Sequence, residues 1–295
     1  MKMTLTSIII ALTIALLSVA VFTSCSPNAE KKDEPIQKTE TANEDVPDAE
    51  MINLWRQAAE QGDADAQYNL GIFYSQDDSV DKDMTEAVKW FRKAAEQGVV
   101  EAQYNLGICY FEGEGIDKDM IEAVKWFRKA AEQGYTKAQN FLGACYGNGE
   151  GVDKDLNEAV KWTRKAAEQG YAEAQFNLGK CYFYGNGVEK DLSETVKWFR
   201  KAAEQGDAEA QYNLGNCYNE GVGVEQDLSE AVKWFRLAAE QRYAPAQFNL
   251  GVSYNNGEGV KQDRNEAIKW FRKAAEQGDE DAIDALIDMG EWNDD

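Results

Sequence analysis

The stretch Ala102-Gln103-Tyr104-Asn105-Leu106-Gly107 decides the fold, because it returns along the chain. Ala-Gln starts at Ala66, Ala102, Ala138, Ala174, Ala210 and Ala246, each 36 residues after the one before. The same interval carries Leu70-Gly71 through Leu250-Gly251, Tyr74 through Tyr254, and Trp90 through Trp270. Self-similarity at a fixed period of this size marks stacked units that share one continuous core.

Each unit reads as two helices. Ala66, Leu70 and Tyr74 stand at i, i+4 and i+8, an apolar stripe on a first helix (A). Gly71, beside Leu70, has no side chain and lets another helix approach. A Gly-x-Gly turn such as Gly113-Glu114-Gly115 follows. The second helix (B) opens on an acidic capping box, Asp119 to Glu122 or Asp191 to Glu194, in which Asp accepts the first amides and Glu reaches back. Ala87, Trp90, Phe91, Ala94 and Ala95 form its packing face. Gly98, Gly134, Gly170, Gly206 and Gly278 end helix B, where a positive φ is usual; Arg242 stands there in the fifth unit and predicts local strain.

These motifs, from Ala-x-Ala-Gln-Tyr-Asn-Leu-Gly to Glu-Ala-Val-Lys-Trp-Phe-Arg-Lys-Ala-Ala, resemble Sel1-like repeats, relatives of tetratricopeptide repeats. The resemblance implies an all-α fold, a right-handed α/α superhelical solenoid with A helices on the concave face and B helices on the convex one. Six full units are expected at 63–98, 99–134, 135–170, 171–206, 207–242 and 243–278. A lone B helix in 49–62 would cap the start, and a lone A helix with an acidic tail in 279–295 would cap the end.

The segment ahead of the repeats reads as an address. Ile8 to Phe22 is apolar apart from Thr13 and Ser18, about the length of a secretory signal and short of a membrane span. Phe22-Thr23-Ser24-Cys25 resembles a bacterial lipobox, implying a signal peptide over 1–24 and lipidation of Cys25. Two or three acyl chains suffice for stable anchoring. Residues 25–48 are polar and Pro-bearing, the composition of a disordered tether. Together these predict a lipid-anchored protein of a Gram-negative cell envelope, at the outer membrane.

Composition excludes several functions. The chain has 295 residues, no His and a net charge of −22, which argues against nucleic-acid or anionic-lipid binding through a basic footprint and removes the usual neutral-pH acid–base group. No nucleophile motif or phosphate-cradling Gly loop is found. Asp77 to Asp83 has calcium-loop flavour but lacks the central Gly. Cys109, Cys145, Cys181 and Cys217 recur at one repeat position; equivalent helices roughly 8–10 Å apart are too far for disulfides, so buried free thiols are expected. Neither catalysis nor a cofactor nor a metal is expected.

An interaction surface is the better reading. By analogy with tetratricopeptide repeats, the concave face carries an aromatic row, Tyr68, Tyr104, Phe176, Tyr212 and Phe248, with Asn140 in the third unit. Beside it run Asn69, Asn105, Asn177, Asn213 and Asn249, with Phe141 in the third unit. Such side chains either clamp an extended peptide or pack between helices. Ile108, Phe111, Lys180, Phe183, Tyr184, Asn216 and Asn255 vary between units and are candidates for selectivity. On helix B, Lys89 to Lys269 and Arg92 to Arg272 form two basic ladders that read as a solvated face. The expected role is a non-catalytic adaptor binding a protein or extended peptide in the concave groove. The alternatives are a β-lactam- or peptidoglycan-related hydrolase, linked to cysteine-rich relatives, and a cell-wall-binding module.

Overall fold

The computed structural model describes residues 49–76 and 83–292. The signal peptide, Cys25, the 25–48 tether and residues 77–82 of the acidic loop lie outside the described residues, as does the tail beyond 292.

The described residues hold fourteen helices. Two compact parts divide after Gln169. The first holds α1 (Ala49–Glu60), α2 (Ala64–Ser75), α3 (Met84–Glu96), α4 (Val100–Glu112), α5 (Met120–Glu132), α6 (Thr136–Asn148) and α7 (Leu156–Glu168). The second holds α8 (Ala172–Tyr184), α9 (Leu192–Glu204), α10 (Ala208–Glu220), α11 (Leu228–Glu240), α12 (Ala244–Asn256), α13 (Arg264–Ala275) and α14 (Glu280–Asp288). Within each part every helix packs on the next one in sequence, and α2 also touches α4. This is the all-α helical-repeat class expected from the period. The lone helices α1 and α14 fall where the flanking caps were placed.

Local chemistry sets the ends of each B helix. Asp119 Oδ1 accepts from the amides of Ile121 and Glu122 at 2.9 and 3.0 Å, and Asp83, Asp155, Asp191 and Asp263 do the same. Each such cap stabilises its helix by about 1 kcal/mol. The reciprocal half of the box does not form. The cap amide is already engaged: Asp119 donates its N–H to the Tyr110 carbonyl at 2.9 Å, and Asp83, Asp155, Asp191, Asp227 and Asp263 donate to the matching tyrosines. One bond therefore satisfies an orphan carbonyl of helix A and an orphan amide of helix B. The Glu is released to pair with Lys one turn on, as Glu122 does with Lys125 at 2.5 Å.

Polar side chains stitch consecutive repeats together. Gln103 is buried and donates from Nε2 to the Ala95 carbonyl at 3.1 Å, while its Oε1 accepts from Gln133 at 2.8 Å. Gln67, Gln139, Gln211 and Gln247 relay in the same way. The recurring Gln of each Ala-Gln pair thus makes a repeat-to-repeat bond. The Arg ladder corrects its sequence reading as a solvated face. Arg56 donates to the Tyr74 hydroxyl at 3.0 Å, Arg92 to Tyr110 at 2.7 Å, and Arg236 to Tyr254 at 2.8 Å; Arg128 and Arg200 reach Tyr146 and Tyr218. After the last repeat Gly290 replaces the tyrosine, and Arg272 turns to Glu291 at 3.2 Å. The Lys ladder does face solvent. A second series of lysines lies over the tryptophans, with Lys129 Nζ 3.7 Å from the Trp126 ring centroid.

Helices A and B of one repeat meet at the Leu-Gly pair. A Cβ added to Gly107 would lie 2.6 Å from the Phe127 ring, and one on Gly215 equally close to Phe235. The third repeat is built differently: Thr163 takes the Phe place, facing Gly143. Thr163 and Asn140 are both buried there, and Phe141 instead stacks on Phe127 of the preceding repeat at 5.4 Å. The expected strain is present in the fifth repeat, where Arg242 alone among described non-Gly residues has a positive φ, 66°. Arg242→Gly is therefore expected to stabilise the fold by about 1 kcal/mol, read from urea unfolding. No gain would mean that the Arg242 side chain offsets its backbone.

Candidate interaction surface

The aromatic row on the A helices splits into floor and rim. Tyr68 and Phe176 are 7% and 4% exposed and pack on the B-helix phenylalanines, with ring centroids 6.2 Å from Phe91 and 5.2 Å from Phe199. Asn105 and Asn177 are equally buried. These four, expected from the sequence to meet a partner, are floor: their outer surface is spent on packing. Tyr104, Tyr212 and Phe248 also lean on B-helix rings, Phe127, Phe235 and Phe271, but stay half-buried and keep one edge open. Asn69, Asn213, Asn249, Phe111 and Phe183 are likewise half-buried. The row packs on helix B as one of its two open readings required, and these half-buried members also hold surface for a ligand.

The two parts of the chain differ in what surrounds these residues. In the first, Tyr104 lies 5.1 Å from Tyr135 and 5.8 Å from Phe141, and Phe111 lies 6.3 Å from Phe141, an aromatic cluster across α4 and α6. In the second, Tyr212 keeps the matching contact with Tyr243 at 5.4 Å, but polar side chains replace the rest of the cluster. Asn249 donates to Asn216 Oδ1 at 3.3 Å, and Asn213 donates to the Glu209 carbonyl at 2.8 Å. The buried Lys180 lies over the Phe176 ring at 4.8 Å and stabilises the Glu209 charge, although burial still raises the Glu209 pKa. Asn255 is exposed at the end of α12.

Two carboxylates escaped the sequence reading. Glu101 and Glu112 stand at the two ends of the α4 stripe that carries Tyr104, Ile108 and Phe111. Burial raises the Glu112 pKa, Lys118 opposes the shift, and Glu112 Oε1 is buried without a hydrogen-bond partner. The signal was present in the spacing, i, i+7, i+11, but acidic residues at repeat ends were assigned to capping.

Cys109, Cys145, Cys181 and Cys217 are buried and form no disulfide, as expected. Burial pushes Cys109, Cys145 and Cys217 up to about 12, far from a reactive thiolate. Among the described residues no cluster of His, Cys, Asp or Glu has the arrangement of a metal site, and no helix is long and apolar enough to cross a membrane.

The Sel1 repeat model matches at 52–63, 64–99, 100–135, 136–171, 172–207, 208–243 and 244–279. The chain belongs to the Sel1 repeat family. The Sel1 boundaries lie one residue beyond those drawn from the sequence, and the short first match covers the lone helix α1. A solved Sel1-type structure, a protective antigen of uropathogenic Escherichia coli strains displaying an SLR fold, is 40% identical with a TM-score of 0.79. The match covers 83% of this chain and 52% of the antigen, so the chain spans about half that protein's length. A Sel1 repeat protein from Oxalobacter formigenes is 34% identical with a TM-score of 0.65, over 77% of this chain and 97% of its own. No curated protein matches the Sel1 repeats significantly over this sequence. The Sel1 repeat is a scaffold fold commonly used for protein interaction.

Proposed function

We propose that this Sel1 repeat protein is a non-catalytic adaptor, tethered to a Gram-negative envelope through lipid on Cys25, that binds a polypeptide along its A-helix face. One observation carries the reading. The frame of each repeat is held by Gln, Arg, Tyr and Gly contacts, while half-buried rings and amides such as Phe111, Phe183, Asn213 and Asn249 stand on the A helices outside that frame. Aromatic edges and amides at a fixed 36-residue interval suit an extended partner, which loses little alignment on docking. The thiols at about 12 support a role without nucleophilic chemistry. The description of the E. coli relative as a protective antigen supports display at the envelope.

Two measurements test this. Crosslinking and mass spectrometry in native envelopes should recover a protein partner, and Phe111→Ala with Phe183→Ala should reduce that capture by about tenfold while leaving the melting temperature nearly unchanged. Recovery of glycan alone, or unfolding of the variant, would overturn the adaptor reading. Palmitate labelling should be lost in Cys25→Ala, and a nitrocefin assay on the pure protein should show no turnover.

A further inference from the structure

Helix α4 differs from the other A helices in how its outward stripe is composed. Glu101, Asn105, Ile108 and Glu112 stand at i, i+4, i+7 and i+11, with Tyr104 and Phe111 flanking Ile108, so all six lie on one face. Tyr104, Ile108 and Phe111 are half-buried, leaving an apolar strip closed at each end by a carboxylate. The counterpart in the fifth repeat keeps both carboxylates, Glu209 and Glu220, but Asn216 replaces the central Ile and Lys180 already stabilises the Glu209 charge.

One atom on the α4 stripe is left short of a partner. Glu112 Oε1 is buried and accepts no hydrogen bond. A buried acceptor in this state is costly, and an incoming group that satisfies it recovers that cost. Its complement is a cation. Lys118 is a poor substitute, since its Nζ lies over the Phe111 ring at 5.5 Å. The net charge of −22 draws cationic segments toward the whole molecule.

Resting on the adaptor reading above, we infer that the α4 face binds an extended peptide segment in which two basic side chains, six residues apart, bracket apolar ones. The spacing follows from geometry. Eleven helical residues separate Glu101 from Glu112, a rise of about 16 Å. An extended chain advances about 3.3 Å per residue and alternates its side chains between two faces, so a same-face pair six residues apart spans about 20 Å and reaches both carboxylates with its long side chains leaning inward. The basic side chains meet Glu101 and Glu112, and the apolar ones lie on Tyr104, Ile108 and Phe111.

The test uses the full chain and fluorescence anisotropy with three labelled peptides: Lys-Ala-Phe-Ala-Leu-Ala-Lys and its versions with both Lys replaced by Gln or by Glu. The basic peptide should bind tightest, and raising salt toward about 0.5 M should weaken it. The isosteric double variant Glu101→Gln, Glu112→Gln should weaken the basic peptide about tenfold, leave the Gln peptide unchanged and keep its circular-dichroism melting curve. If the double variant retains full affinity for the basic peptide, or the Glu peptide binds as tightly, the inference falls and peptide docking stands. If no peptide of any charge binds, both fall.

Discussion

Replacing Phe127 with alanine is expected to destabilise the first part of the chain by about 3–5 kcal/mol. Phe127 is fully buried on α5 and touches three other rings, Tyr104 at 5.9 Å, Phe111 at 6.4 Å and Phe141 at 5.4 Å. It also fills the space that Gly107 leaves open. Truncation removes a large apolar side chain and opens a cavity that helices held by the Gln and Arg bonds cannot close. Phe141 loses its stacking partner at the same time, so the second and third repeats lose cohesion together. Guanidinium unfolding followed by circular dichroism measures the loss, and hydrogen exchange locates it. Protection should fall in α4 to α6 and change least in α12 and α13, because repeat stability is transmitted between neighbours. A loss below about 1 kcal/mol would mean that the rings repack around the gap.

The second large effect is expected at Gly223, with Gly221 as its control. Both have positive φ, 70° and 71°. A Cβ on Gly221 would meet nothing closer than 3.4 Å, so Gly221→Ala carries only the left-handed backbone penalty of about 1 kcal/mol. A Cβ on Gly223 would press into the Leu192 carbonyl at the start of α9, within 2.6 Å of its carbon. That neighbour is helical backbone anchored by the Asp191 cap and cannot step aside. Gly223→Ala is therefore expected to cost about 3 kcal/mol, the backbone penalty plus overpacking. Equal melting temperatures for the two variants would show that the turn yields instead.

Much of this architecture was legible because it is local or periodic. Leu70 with Gly71 announced a close helix contact, the acidic residue before each B helix announced a cap, and Arg242 announced strain from its place in the period. The four repeated cysteines were legible as buried thiols from spacing alone. What stayed hidden is pairing between distant positions that recur equally often. The bonds from Arg92 to Tyr110 and from Gln133 to Gln103 join residues 18 and 30 apart. Repetition shows that both positions matter, not that they meet. Glu122 looked committed to its cap because nothing in the sequence reveals that the Tyr110 carbonyl takes the Asp119 amide first. The candidate site was legible by type but not by depth. Tyr68 and Tyr104 occupy the same repeat position, yet only Tyr104 keeps an open edge.

The Gln relay has a genetic corollary. Every donor in it is answered within its own copy or by a residue of the adjoining one, and by nothing farther away. Unequal crossing-over that gains or drops one copy would therefore leave each surviving bond matched, so array length can drift without a new interface being invented.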